Sequence, residues 1–259
     1  MFKNKKADPY SLHTSYDWEE KNAQSITSRK VPFAVVESYK TIRTNLMFLL
    51  SQKNGKVVAL SSSNAGEGKS TTAINIAIAF SQLDIKVLLI DADLRRSTVH
   101  KKLKLNNTNG LSNVIAGFAT FEETVCPFNA NLDVLLSGPV PPNPSELLGS
   151  ISFEKLLDQL KERYDYIIID TPPINVVSDT LALAPKTDGL LLVFRDMFTP
   201  GDSVRRALAA AEFANISILG AIMNGANPKS KRGYRKYSYG YKYGYRHNHK
   251  AYTYEPNEK

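Results

Sequence analysis

The sequence predicts one α/β domain, a mostly parallel sheet flanked by helices, and three observations lead there. Six short runs are apolar almost throughout: KVVALSS from residue 56, KVLLIDAD from 86, NLDVLLSG from 131, YDYIIIDTPP from 164, DGLLLVFRD from 188 and SILGAIMNG from 217. Strands of this kind need cover on both faces, as in parallel sheets. Between them lie segments of helical length and spacing, at 69–82, 97–104, 151–163, 176–184 and 201–214, so that strand and helix alternate. The chain of 259 residues, 42% hydrophobic and 22% charged, is long enough for one large core and excludes a wholly disordered, collagen-like or coiled-coil protein.

Residues 1–30 are polar and without a sustained period, and are expected to form a flexible, disordered arm. The domain then runs over 31–225. It opens with an amphipathic helix of roughly 15 residues within 31–51, in which Phe33, Val36, Ile42, Leu46, Leu49 and Leu50 fall near helical spacing. The final segment, 226–259, holds eight of the thirteen tyrosines and no Leu, Ile, Val, Met or Phe. Without aliphatic residues it cannot offset its ordering entropy, and a disordered Tyr-rich tail is expected.

The formal charge of +8 is concentrated in that tail, which carries nine basic residues against two acidic ones and leaves only +1 for residues 1–225. A basic nucleic-acid-binding face on the body is therefore not indicated. The single cysteine, Cys126, can form no internal disulfide, which fits a reducing cytosol, and no Cys/His cluster suggests a structural zinc. The amino-terminal stretch lacks a signal-peptide core, and no apolar run approaches the roughly 18 residues of a membrane-spanning helix.

SSSNAGEGKSTT follows the first strand and opens a helix, the context that a phosphate-binding loop requires. Gly66, Glu67, Gly68, Lys69, Ser70 and Thr71 are the candidate nucleotide-binding residues. Glycines let backbone N–H groups turn around an anion, and the helix N-terminus adds partial positive charge. Lys69 is placed to reach the β- and γ-phosphates and Ser70 to ligate Mg²⁺. Ser63 stands where the first glycine of the usual pattern would be. Two further strands end in carboxylates: Asp91 and Asp93 after the second, Asp170 after the fourth. Strand C-terminal ends face the ligand crevice in such a sheet, and buried carboxylates there need a cation. For any one of them, a helix cap or a pair with Arg95 or Arg96 is the plainer alternative.

GEGKST, VLLIDADLR and IIIDTPP, with LLSGPVPPNPSELL between the last two, together resemble the bacterial tyrosine kinases that accompany capsular and exopolysaccharide synthesis. The resemblance covers essentially the whole chain and implies a P-loop NTPase-like fold, with the three blocks as Walker A, Walker A′ and Walker B. It implies catalytic roles for Lys69, Asp91 and Asp93, with Asp91 receiving the tyrosine proton, and Mg²⁺ held by Ser70, Asp93 and Asp170. Asn224 is a candidate for adenine recognition. The family's E-x-x-R-x-x-R oligomerisation segment corresponds to Glu37, Lys40 and Arg43. Lys40 lacks arginine's bidentate fork, and an ordinary helix face with i,i+3 pairs is the alternative.

The resemblance further implies that ATP and Mg²⁺ are used to phosphorylate the chain's own tail in trans. Candidate acceptors are Tyr234, Tyr237, Tyr239, Tyr241, Tyr243, Tyr245, Tyr252 and Tyr254. It also implies a homo-oligomeric ring, a separate transmembrane activator or chain-length regulator, and a cognate tyrosine phosphatase. The expected location is cytoplasmic, peripheral at the inner face of the membrane through that partner. No specific nucleic acid is expected. Two alternatives stay open. Tyrosines interleaved with Lys and Arg also suit single-stranded nucleic acid. A partitioning or septum-positioning ATPase shares this kind of loop, although it carries an extra lysine where this chain has Asn64.

Overall fold

The structure, a computed structural model, describes residues 25–28 and 30–226. The candidate acceptors Tyr234 through Tyr254, and the expected arm up to residue 24, lie outside the described residues. Part of the stretch expected to be flexible is packed on the body. Ser25, Ile26 and Ser28 are buried, and the Ile26 N–H donates to Asn75 Oδ1 at 3.0 Å. An isolated isoleucine in a polar stretch carries no period, so its docking was invisible to pattern.

Helix α1 (Phe33–Ser51) runs for 19 residues behind Pro32, longer than the roughly 15 expected. It buries Leu46 and Leu50, each worth about 1.5–3 kcal/mol, against the next helix. Strand β1 (Val57–Ser62) leads through the glycine-rich turn into α2 (Lys69–Ser81). All but one of the 13 residues of α2 are buried, because the sheet covers one side and α1 the other. Then follow β2 (Val87–Asp91), α3 (Val99–Leu103), α4 (Leu111–Ile115), α5 (Phe121–Thr124), β3 (Val125–Asn129) and β4 (Leu132–Leu135). The remainder is α6 (Pro144–Gly149), α7 (Ile151–Arg163), β5 (Tyr166–Asp170), α8 (Asp179–Leu183), a 3₁₀ turn at Ala184–Lys186, β6 (Gly189–Arg195), α9 (Gly201–Phe213) and β7 (Ile218–Asn224).

The sheet has seven strands in the order β3-β4-β2-β5-β1-β6-β7. All neighbours are parallel except β3 and β4. All six expected strands are present, and β3 is additional. Its sequence, VCPFN, contains a proline, and its ladder shifts between Pro127 and Asn129, so it has neither the alternation nor the apolar continuity that pattern reading needs. The short helices α4, α5 and α6 were also unexpected, although Thr120 and Glu123 of α5 form a capping box of the kind that a sequence displays.

Alternate strand residues supply two cores. Ala59, Ile90, Ile169 and Leu192 pack with Phe153 and Leu157 of α7 and Ala207 of α9. Leu60, Leu89, Ile168 and Val193 pack with Leu50 of α1 and Ile76 and Phe80 of α2. Both faces are thus covered, and β1, β2, β5 and β6 end at one edge. There the register sets Asp91 directly opposite Asp170 on the neighbouring strand. Among the described residues no helix is long and apolar enough to cross a membrane.

Candidate nucleotide and phosphotransfer site

The turn between β1 and α2 takes its shape from two glycines with positive φ, +83° at Gly66 and +95° at Gly68. Only glycine holds such angles without strain. At Gly68 space forbids anything larger as well: a Cβ would stand 2.0 Å from Asn224 Nδ2. That amide donates to the Glu67 carbonyl at 3.0 Å. The Glu67 side chain turns away from the cleft and is fully buried. Ser63, at the position of the absent glycine, donates to both of its carboxylate oxygens, at 2.8 and 3.0 Å. The Asn64 N–H donates at 2.9 Å and Thr199 Oγ1 at 2.7 Å. Of the candidate binding residues, Glu67 therefore offers a ligand its backbone and not its carboxylate.

Lys69, the first residue of α2, points its ammonium at the strand ends. Nζ donates to Asp93 Oδ2 at 2.9 Å, Asp170 Oδ1 at 3.4 Å and Ser70 Oγ at 3.3 Å. Burial works against its charge, but Asp170 and then Asp93 outweigh burial and hold its pKa above the ordinary lysine value. Asp91 and Asp170 are fully buried and Asp93 nearly so. Asp91 accepts from Ser97 Oγ at 2.6 Å, from the Val99 N–H at 3.3 Å and from the Asp93 N–H at 3.2 Å. Burial, and next the facing charge of Asp170, push its carboxyl up to about 7. Burial likewise raises Asp170, with Lys69 opposing. Asp93 Oδ1 accepts the Arg96 N–H at 3.0 Å. Arg95 pairs with none of the three aspartates: it makes a two-point contact, 2.8 and 2.9 Å, with the buried Asp179.

A cleft of about 1030 Å³ opens over this edge, lined among others by Gly66, Gly68, Lys69, Ser70, Thr71, Asp93, Arg96 and Asn224. Sequence spacing thus brings together the turn, Lys69, Ser70, the three aspartates and Asn224. Glu37, Lys40 and Arg43 lie apart on α1. Lys40 pairs with Glu37 at 2.8 Å within the helix, and Arg43 Nη1 donates to the Ala79 carbonyl at the end of α2, at 2.6 Å.

The residues fit a magnesium nucleotide. Asp170 Oδ2 is buried with no hydrogen-bond partner, an expensive state for a carboxylate oxygen unless something else completes it. The available donors, a hydroxyl and carboxylates, are hard oxygens. Among the described residues no group of three His, Cys, Asp or Glu is arranged to hold a metal by itself. Hydroxyl and carboxylate oxygens match Mg²⁺, which is characteristically held by one or two carboxylates together with phosphates and water.

Sequence reasoning missed Ser97, Asp179, Arg195 and Thr199. Arg195 Nη1 donates to the Gly66 carbonyl at 3.3 Å, and its N–H donates to Thr199 Oγ1 at 2.8 Å. Asp179, Arg195 and Thr199 act through partners distant in sequence, which leaves no local signal, whereas Ser97 reaches Asp91 only six residues away and simply looks like any other serine.

Fold and site define a P-loop nucleotide-binding enzyme. A family model described as "AAA domain" matches residues 55–195. Tyrosine-protein kinase YwqD of Bacillus subtilis is 44% identical over 204 residues, which span 78% of this chain and 85% of that one. Among solved structures, the kinase domain of Escherichia coli tyrosine kinase ETK aligns with a TM-score of 0.71 at 36% identity, covering 80% of each chain. The chimerical protein CapA2B2 aligns with a TM-score of 0.74 at 33% identity, covering 79% of this chain and 90% of its own. The chain belongs to the bacterial tyrosine-kinase family, whose enzymes act on ATP with Mg²⁺.

Proposed function

We propose that the chain is an autokinase that transfers the γ-phosphoryl group of ATP to tyrosines of its own C-terminal segment in trans, in the service of capsular and exopolysaccharide synthesis. The observation that carries this reading is the convergence of Asp93 and Asp170 on Lys69 at the floor of the cleft, with an unpartnered Asp170 oxygen, in a chain of this family. Lys69 holds the phosphates, which replace the carboxylates it now pairs with, and the backbone of 66–71 cradles them. Mg²⁺ bound by Ser70, Asp93 and Asp170 supplies neutralisation of the charge on the transferring group. Asp91 takes the phenolic proton: its raised pKa makes it a better match than an ordinary aspartate to a phenol near 10,. Its Oδ1, which accepts only the Asp93 N–H, has the spare lone pair for the substrate hydroxyl,. Asn224, fixed between the turn and the cleft, borders the nucleobase.

The oligomer is a ring in which Glu37, Lys40 and Arg43 contribute to packing. A membrane partner holds the kinase at the inner face of the membrane and activates it, and a tyrosine phosphatase reverses the modification. The tail's +7 suits docking on an acidic site of a neighbour. Phosphorylation, at roughly −1.5 to −2 per tyrosine, reverses that charge and releases it. Intact-mass and peptide mass spectrometry after incubation with Mg-ATP, with and without the partner's cytoplasmic segment, tests the reading. Several phosphates confined to Tyr234 through Tyr254, and none in Lys69→Met, is the expected result. ADP release with no phosphotyrosine under any condition overturns it.

A further inference from the structure

Phosphotransfer leaves the Glu67 carboxylate unexplained. It lies fully buried beside a loop built for anions, where its charge is adverse to the ligand, and every donor recorded on it is neutral. Four of its five contacts are internal to the loop: Ser63 Oγ at 2.8 and 3.0 Å, the Asn64 N–H at 2.9 Å and Asn64 Nδ2 at 3.3 Å. The fifth, Thr199 Oγ1 at 2.7 Å, comes from 132 residues away in sequence. Thr199 has no freedom in this contact. Its oxygen already accepts the Arg195 N–H at 2.8 Å, so its single proton is left for Glu67. The turn that presents it is tight: the N–H groups of Phe198 and Thr199 both donate to the Arg195 carbonyl, at 3.2 and 3.0 Å. Arg195 also reaches the Gly66 carbonyl at 3.3 Å.

We propose that Thr199 is a positioning residue for the reaction: by locking the Glu67 carboxylate from outside the loop it fixes the backbone of 63–67, so that the phosphate cradle exists before the nucleotide arrives. This rests on the phosphotransfer reading only in taking the cleft as the nucleotide site. Ser63 belongs to the same device. Where a glycine would leave the loop pliable, its hydroxyl spans both carboxylate oxygens and closes the loop on itself. Positioning and simple electrostatics predict opposite signs. Removing the Glu67 charge favours an anionic ligand on charge alone, whereas loss of the lock costs preorganisation and weakens it.

The test measures equilibrium binding of fluorescently labelled ADP, KM for ATP and kcat in the full-length chain. Thr199→Val is close to isosteric and removes the hydroxyl. Its dissociation constant for ADP should rise about tenfold, with KM for ATP following and the loss falling on KM and not on kcat. Thr199→Ser should restore most of the affinity, which a merely steric role would not predict. Glu67→Gln should bind severalfold more weakly, and adding Thr199→Val to it should cost less than about twofold more, because the two act as one unit. Wild-type affinity in Thr199→Val, no rescue by Thr199→Ser, tighter binding by Glu67→Gln or full additivity would each overturn the proposal. If Thr199→Val fails to fold, Glu67→Gln and Thr199→Ser decide it. ADP binding needs no tyrosine, so a chain that binds ADP yet labels no tyrosine defeats the kinase reading and leaves this test intact.

Discussion

Two buried acidic regions flank the same glycine-rich turn and are built to opposite plans. Glu67 is saturated: its two oxygens take five contacts from neutral donors. The aspartates at the ends of β2 and β5 are crowded and incompletely served. Asp91 and Asp170 face each other across a ladder, Lys69 supplies the cation drawn in among them, and one Asp170 oxygen has no partner. A saturated carboxylate holds a shape, whereas an unsaturated one waits for a ligand. The same residue chemistry therefore marks scaffold in one place and reaction centre a few residues away, and the hydrogen-bond inventory separates the two.

Substitution should split the regions cleanly. Asp170→Asn should lower autophosphorylation by about 10²-fold, while the melting temperature of the metal-free chain stays level or rises, because a repelling and half-satisfied charge is removed. Phosphotyrosine quantitation beside calorimetry checks both halves. Glu67→Ala should do the reverse to stability, costing about 2–4 kcal/mol in urea unfolding, since Ser63, the Asn64 N–H and Thr199 all lose their acceptor. Equal destabilisation by the two would erase the distinction.

Titration sharpens the contrast at smaller scale. The Asp91 carboxyl is raised from the ordinary aspartate value of 3.8 to about 7 by burial and by Asp170. Its contribution to stability is therefore complete below about pH 4 and is lost as pH climbs through about 7. Mg²⁺ favours the ionised cluster, so the rise in melting temperature on adding Mg-ADP should be greater at pH 8 than at pH 6, by the equivalent of about 1 kcal/mol. A Glu67→Gln chain should keep that pH dependence. The smallest effect belongs to α1. The exposed Glu37–Lys40 pair should contribute under about 0.5 kcal/mol to folding, so Glu37→Gln should leave chemical unfolding almost unchanged. If sedimentation shows that it nevertheless dissociates the oligomer, its role lies between chains.

What was legible in the sequence follows from where its causes lie. Four of the six expected strands, β1, β2, β5 and β6, announce themselves because burial on both faces demands unbroken apolar runs, whereas β7 has an apolar run but lies at the sheet edge with no buried residue. Asp91 and Asp170 stand out because a carboxylate ending such a run needs a reason. The turn was readable from Gly66, Gly68 and Lys69. β3 was not, because an edge strand with Pro127 obeys no period. The docking of Ile26 on Asn75, the pairing of Arg95 with Asp179 and the contact of Thr199 with Glu67 were hidden for another reason. Each joins positions far apart in sequence through side chains that look, locally, like ordinary surface residues. Glu67 is the instructive case: its place in the motif marks its backbone as part of the loop, and only the direction of its side chain shows that the carboxylate faces the other way.

The pairing of Asp91 with Asp170 in the β2–β5 ladder ties catalysis to the core in a way that mutational tolerance should reveal. Both carboxylates form the terminal rung of a ladder whose other rungs are Val87, Leu88, Leu89 and Ile90 and their partners Tyr166, Ile167, Ile168 and Ile169. A slip of one residue in that ladder exchanges the faces of every side chain and carries both acids away from their places beneath the cleft, beside Lys69, together. In a saturation screen scored on activity, these interior positions, none of them lining the cleft, should be as intolerant as the glycine-rich turn. The same screen scored on solubility should forgive volume-conserving swaps there.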